Sequence, residues 1–383
     1  MDWNALCFNT ATLIAGVFIL EHGADKFIDH TVIVGRRLGI SPTLIALLTA
    51  GAEYEELAVV VAALLQHRSP LALGNVMGST ISNILGAFSL GLICQPGGMQ
   101  FDRGGKMYPA LMLFVTTLFV ALAYFHQLNR VSGGVLIAVF VLYLASIGYA
   151  IYRGVAEAPQ LSDSDSDSDS DREVAASPSM GQSNRTQAPA SEHSPLLPKR
   201  ITTPQLEEQT QTPESHGPSR RARAPRPLHH HIIQLIYGLL SLSLSGYILA
   251  TSASAIADIL QLSGTVFGLT IVAFATTLPE KFIAVLSGAR GHGGIVVATT
   301  AGSNIFLLTL CVGVVAVAGN GIDGGGGEQQ QEGGIVLFDL AAVWAAAVFF
   351  TAVVLLGLGR WAGGVLLVAY VVFLGLEFTV FRR

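Results

Sequence analysis

Residues 51–58 read GAEYEELA and set Glu53, Glu55 and Glu56 between two uncharged runs, LIALLTA and VVVAALL. One ionisable residue at the centre of a membrane-spanning helix costs about 2.5–3.5 kcal/mol on insertion scales. Three carboxylates there call for a compensating cation or proton, so the meaning of this stretch depends on what answers it elsewhere. Adding 224 to each position finds the answer: Glu56 maps to Glu280, Gly78-Ser79 to Gly302-Ser303, Ile81 to Ile305, Leu38 to Leu262 and Ser41 to Thr265. Without a gap, LGISPTLIALLTAGAEYEELA and GNVMGSTISN align with LSGTVFGLTIVAFATTLPEKF and ATTAGSNIFL. The chain contains two copies of one unit.

The 383 residues are 51% hydrophobic and 12% charged. A soluble domain carries about 25% charged residues, so this composition is that of an integral membrane protein. No H-E-x-x-H or G-x-S-x-G occurs, which argues against a membrane enzyme. No nucleic-acid partner and no cofactor are expected. Cys7, Cys94 and Cys311 lie far apart in apolar runs, so they form no disulfide or zinc framework and read as buried inert thiols. The N-terminus has no basic region and no A-x-A-like site, so the first apolar run is expected to stay as a helix.

Apolar runs of spanning length fall near 5–28, 41–66, 70–94, 108–127 and 131–152. A second five fall near 232–258, 265–288, 293–318, 335–357 and 361–380. The expected fold is an all-α membrane protein of ten transmembrane helices, built as five-helix units over 1–153 and 231–383. An odd number of spans per unit turns the second unit upside down relative to the first. Inverted repeats mark secondary transporters, with the ion site at the midplane where the repeats meet. Between them, 154–230 contains SDSDSDSDSD and clusters of Pro, Ser, Thr and Gln, too little apolar surface to offset the entropy of ordering. It is expected to be a disordered cytoplasmic loop. Counting Lys and Arg places that loop inside, with Arg36, Arg37, Arg103, Lys106, Arg290 and Arg360, while Arg68 and Arg130 lie outside.

Glu56 and Glu280 fall near the middle of equivalent helices and are expected to face each other across a pseudo-twofold axis. Two such acids need a cation between them, and Ca²⁺ takes about 6–8 oxygens from carboxylates, carbonyls, amides and waters. Ser79 and Asn83, spaced i and i+4, share a helix face, and Ser303 with Asn304 beside it lies at the matching place. Thr276 and Thr277 precede Pro279, which removes a helix bond and loosens carbonyls next to Glu280. Glu53 lies one turn before Glu56 and adds a carboxylate on the same face, while Glu55 points elsewhere. Lys281, a step of about 100° from Glu280, is expected to pair with a neighbouring acid. Asp25, Lys26 and Asp29 read as a local charged network near the end of the first span, and Asp258 and Asp339 as helix-end residues. The run His229-His230-His231 reads as interfacial rather than metal-binding.

These residues resemble the calcium:cation antiporter superfamily, whose two α-repeats read G-T-S-x-P-E followed by G-N-x-x-G-S-N. FATTLPE and TAGSNIF carry the second repeat, GAEYEEL and GNVMGSTISN the first, and EHGADKFIDHTVIVGRRLGISP is similar to the bacterial branch. The resemblance spans both five-helix halves. It implies alternating access around a central Ca²⁺ exchanged for Na⁺ or H⁺. It puts the essential glutamates at Glu56 and Glu280, the helix-break hydroxyls at Thr276 and Thr277, and further polar ligands at Ser79, Asn83 and Ser303. The chain departs from the pattern at Ala52, Glu53 and Glu55, where Thr, Ser and Pro are usual, and at Leu307, where a polar residue is usual. Lost hydroxyls weigh against Na⁺ and the added Glu53 favours H⁺. Exchange of another cation such as Mn²⁺, monovalent cation/H⁺ exchange, or a regulatory role without transport stay open.

Within the loop, SEHSPLLPK sets Glu192 four residues before Leu196-Leu197, the acidic dileucine pattern read by clathrin-adaptor complexes. A vacuolar or lysosome-like membrane is therefore the expected location, with the plasma membrane as the alternative.

Overall fold

The computed structural model describes residues 2–38, 53–96, 107–152, 227–318 and 335–381. Its helices are α1 (Trp3–Arg37), α2 (Tyr54–Leu65), α3 (Ser69–Cys94), α4 (Met107–Tyr124), α5 (Arg130–Tyr152) and α6 (Leu228–Leu260). They continue with α7a (Gly264–Thr276), α7b (Leu278–Ala289), α8 (Gly293–Ala318), α9 (Leu337–Leu356) and α10 (Arg360–Thr379). No strand occurs among the described residues. Eight of these helices are long and apolar enough to cross a bilayer, and the bent pair α7a–α7b makes a ninth span. Helix α2, 12 residues long, falls within the expected second span, 41–66. The fold is all-α, with ten transmembrane helices in two inverted repeats. Ala52 and the motif Glu192, Leu196 and Leu197 lie outside the described residues.

The sequence offset survives folding. Helices α2 and α7b differ by 224 at both ends, and so do α3 and α8. These four helices form the middle of the molecule. In α3, 89% of the apolar window is buried, and in α8 78%, against 17% in α1 and 11% in α5. The cause is in the side chains. GNVMGSTISN and ATTAGSNIF are rich in Gly, Ala, Ser and Thr, which let backbones approach closely in a lipid setting. At Gly74 and Gly78 a methyl group would run into the backbone carbonyls of Thr265 and Leu269 on α7.

The outer helices repeat the same symmetry. Helix α5 packs on the second half of α8, as α10 packs on the second half of α3, and α4 pairs with α9. Helices α1 and α6 run along each other and also cover α2. At about 1.5 Å per residue, their 35 and 33 residues exceed the roughly 30 Å of hydrocarbon, so they extend past it or cross obliquely. The expected end of the first span near residue 28 is corrected to Arg37. Cys311 is buried, Cys94 half-buried and Cys7 exposed, so the expectation of three buried thiols holds for Cys311 alone.

Arg68, just before α3, and Asp258, near the end of α6, form a bidentate pair at 2.9 and 3.3 Å. The charge count puts both connections on the same side, as this contact requires. Asp339 caps α9, accepting from the Val336 N–H at 3.1 Å, which matches its helix-end reading. His231 departs from the interfacial reading: it is buried against His30, with the two Nδ1 atoms 3.1 Å apart.

Candidate functional site: three carboxylates at two helix starts

Glu56 lies in the first turn of α2, and Glu280 in the first turn of α7b. Both helices begin inside the molecule rather than at its edge. Helix α7 breaks at Thr277 with a 48° bend. Pro279 stands at the start of α7b, where a missing N–H costs no helix bond. The break therefore gives Glu280 a helix N-terminus of its own, and the unpaired N–H groups there favour negative charge.

Oxygens of Glu53, Glu56 and Glu280 all lie within 4.8 Å of one another. Glu53 also lies against the Ser303 hydroxyl of α8. Glu53 and Glu56 are buried, and Glu280 is half-buried. Glu55 stands outside the cluster, also half-buried. Like charges this close cannot all stay ionised in a water-poor interior, so the cluster holds protons or a cation.

Helix α3 brings Ser79 and Asn83 to the same region, both buried. Among the described residues neither side chain has a hydrogen-bond partner, and none is found for either Glu56 oxygen or for Oε2 of Glu280. Leaving a buried donor or acceptor unmatched costs about 1–3 kcal/mol. Several such atoms surround the one acidic cluster. Asn83 lies in the irregular part of α3: residues Ser82–Phe88 are π-helical, and Leu307–Cys311 are π-helical at the matching place in α8. Such bulges cluster at functional sites because they redirect side chains without ending the helix.

Not every expected residue joins the cluster. Asn304, one step around α8 from Ser303, donates to the Thr300 carbonyl at 2.8 Å and touches Met112 of α4. The Thr276 hydroxyl donates to the Val272 carbonyl at 3.1 Å, and Thr277 to the Ala273 carbonyl at 2.6 Å. Both hydroxyls thus bond back one turn along α7a, and the Ala273 carbonyl also accepts the Thr277 N–H at 3.1 Å. Lys281 is corrected outright. Its Nζ bonds Ser82 Oγ at 2.8 Å, the Thr277 carbonyl at 3.1 Å and Thr277 Oγ1 at 2.5 Å, and meets no carboxylate. The three oxygens lie closer to its side chain than any acid does.

Ser82 and Tyr370, which share a 3.0 Å hydrogen bond, escaped the sequence reading. The repeat offset points away from Ser82, because its counterpart is Phe306. The only available signal was a serine one residue from Asn83.

A narrow cleft leads to the cluster. Glu280, Asn83 and Ser303 line its inner end, and Thr299, Ser287 and Ala87 continue it toward the ends of α3 and α7b. The end of α7b is followed by Arg290.

The family model described as sodium/calcium exchanger protein matches residues 8–148 and 230–379. The putative antiporter CaxA of Alkalimonas amylolytica is 25% identical over 315 residues, 82% of each chain. The sodium/calcium exchanger MaX1 of Methanosarcina acetivorans is 23% identical over 399 residues, covering 97% of this chain and 99% of its own. Among solved structures, the sodium-calcium exchanger NCX_Mj soaked with 2.5 mM Na⁺ and 10 mM Sr²⁺ has a TM-score of 0.53 at 19% identity. That likeness covers 96% of this chain and 98% of the other, and it shows the fold. The matched residues take in both repeats and the whole carboxylate cluster, and the chain belongs to the sodium/calcium exchanger family of membrane cation antiporters.

Proposed function

We propose that this protein exchanges Ca²⁺ for H⁺ at the Glu53–Glu56–Glu280 cluster. One observation carries the reading: three carboxyl groups have oxygens within 4.8 Å of one another inside the membrane-spanning core. A hard divalent cation suits such a set, with Ser79, Asn83 and Ser303 as further oxygen donors. Entry of one Ca²⁺ displaces protons from the same carboxyls, because the ligands act deprotonated. Release of two protons for each Ca²⁺ leaves the charge of the site unchanged. Thr276 and Thr277 flank this site at the helix break, with their hydroxyls bonded back along α7a.

Sodium is the alternative counter-ion, favoured by the exchanger names of several relatives. Against it stands Glu53 at the position where the second repeat has a hydroxyl, Thr277. The test is ⁴⁵Ca²⁺ uptake into proteoliposomes under a pH gradient alone and under a Na⁺ gradient alone. The proposal expects uptake with the pH gradient. Uptake that follows only the Na⁺ gradient contradicts it.

Proton-driven loading suits an acidified organelle, and Glu192, Leu196 and Leu197 would direct the protein there through a clathrin adaptor. Replacing both leucines with alanine in a fluorescently tagged chain should move it from a vacuolar or lysosome-like membrane toward the plasma membrane. An unchanged location contradicts the sorting role.

A further inference from the structure

Lys281 is a buried cation that has no carboxylate partner among the described residues, in a protein that moves cations. Its ammonium has three N–H groups, and three oxygens receive them: Ser82 Oγ, the Thr277 carbonyl and Thr277 Oγ1, at 2.8, 3.1 and 2.5 Å. Each oxygen is held in place by something else. Tyr370 of α10 fixes Ser82 at 3.0 Å, and the Ser82 and Thr277 hydroxyls stand 2.8 Å apart. Thr277 Oγ1 is anchored by its 2.6 Å bond to the Ala273 carbonyl. The Thr277 carbonyl stands at the helix break, and its backbone bond to the Lys281 N–H is long, 3.4 Å. The face of Phe274 closes the set, 4.8 Å from Nζ.

Two hydroxyls and a carbonyl are neutral oxygen donors. Such a set suits a singly charged cation, whereas a hard divalent ion favours carboxylates. An alkali ion with its ligands removed from water would fit the chemistry of this place as well as an ammonium does. The position is also one-sided. The counterparts of Lys281, Ser82 and Thr277 in the other repeat are Leu57, Phe306 and Glu53, which cannot build the same set. Lys281 is close enough for its charge to act on Glu280 and Glu56.

We propose that the Lys281 ammonium is a tethered occupant of a monovalent-cation seat made by Ser82 and Thr277, and that it denies this seat to Na⁺. The inference rests on the reading of the neighbouring carboxylates as the transported-ion site, and it names the residue that sets selectivity among counter-ions. Lys281 acts as a specificity-determining residue, not as a ligand of the transported ion.

The experiment is thermal unfolding of the purified full chain, followed by tryptophan fluorescence, with NaCl exchanged for choline chloride at constant ionic strength. Wild type, Lys281→Met, and Lys281→Met combined with Thr277→Val are compared. Lys281→Met should be stabilised by Na⁺ with a half-saturating concentration at least about tenfold below that of wild type. Adding Thr277→Val should abolish that gain, because it removes the seat while leaving the charge change in place. An equal Na⁺ response in wild type and Lys281→Met overturns the proposal. So does a gain that survives Thr277→Val, which would make the effect one of charge alone. If Lys281→Met folds poorly, Lys281→Gln is measured by the same criteria, and Na⁺ should rescue either variant by refilling the seat. Failure of high Na⁺ to rescue both also overturns it. Titration with Ca²⁺ on the same samples separates the two ideas. Stabilisation of wild type by Ca²⁺ with no Na⁺ gain in the variants sinks the seat alone, and no Ca²⁺ response in wild type sinks the carboxylate reading.

Discussion

The two repeats share a backbone and differ in their charges. Helices α2 and α7b start at equivalent residues and each carries a glutamate in its first turn. One turn before that glutamate, the first repeat has Glu53 where the second has Thr277. One residue after it, the first has Leu57 where the second has Lys281. Asn83 likewise faces Leu307 across the offset. The first repeat gained an acid and the second gained a base. Three carboxylates and one ammonium carry the same formal charge as two carboxylates alone. The paired glutamates follow the symmetry of the fold, and the residues that break it, Glu53 and Lys281, are those on which the proposed choice of counter-ion rests.

The largest effects should come from the symmetric pair. Glu56→Gln and Glu280→Gln are each expected to reduce ⁴⁵Ca²⁺ flux in proteoliposomes to background while leaving the helical circular dichroism intact. Near-normal flux in either variant would break the equivalence of the two repeats and remove the cluster from the transport path.

Making the first repeat resemble the second should have the next largest effect. Ala52→Thr with Glu53→Ser restores two hydroxyl positions and removes the third carboxylate. Ca²⁺ flux should persist while its response to a pH gradient falls about tenfold, a difference of about 1.4 kcal/mol. An undiminished response to pH would show that Glu53 does not carry the coupling.

Much of this asymmetry was legible in the sequence, because a fixed offset exposes each exception. Glu53, Glu56 and Glu280 could be placed on facing helices from spacing alone, and the structure brings their oxygens within 4.8 Å. Lys281 could be placed but not paired. Its partners are Ser82 of α3 and the carbonyl and hydroxyl of Thr277 at the break that Pro279 signalled, and the reach of a long side chain to them is not written in local spacing. Asn304 shows the opposite failure. It sits next to a cluster residue in sequence, but one helical step turns it to α4. The π-helical segments of α3 and α8, SNILGAF and LLTLC, share no residue pattern that marks them in the sequence.

Packing at the repeat interface gives a smaller, structural effect. Gly78→Ala forces α3 away from the Leu269 carbonyl of α7 and should destabilise the protein by about 1–3 kcal/mol in thermal or denaturant unfolding. Gly134→Ala, with open space around it, should change stability little and serves as the control. Equal effects at the two positions would mean that the central helices are not held at backbone contact.

The smallest effect is expected at Arg68 and Asp258, whose side chains are 46% and 59% exposed. Exposed pairs contribute about 0–1 kcal/mol and are screened by salt. Arg68→Ala should shift the unfolding midpoint only slightly at low salt and not at all in high salt. A large, salt-independent loss would mean that this contact locks the two repeats together.

The central claim is that the three-carboxyl cluster trades protons for a single Ca²⁺. Isothermal titration calorimetry of Ca²⁺ into the purified protein, repeated in buffers of different ionisation enthalpy, counts both at once. The account predicts one Ca²⁺ bound per chain with about two protons released. Both signals should be lost in Glu56→Gln. Binding of Ca²⁺ with no dependence on the buffer, or no binding at all, would contradict it.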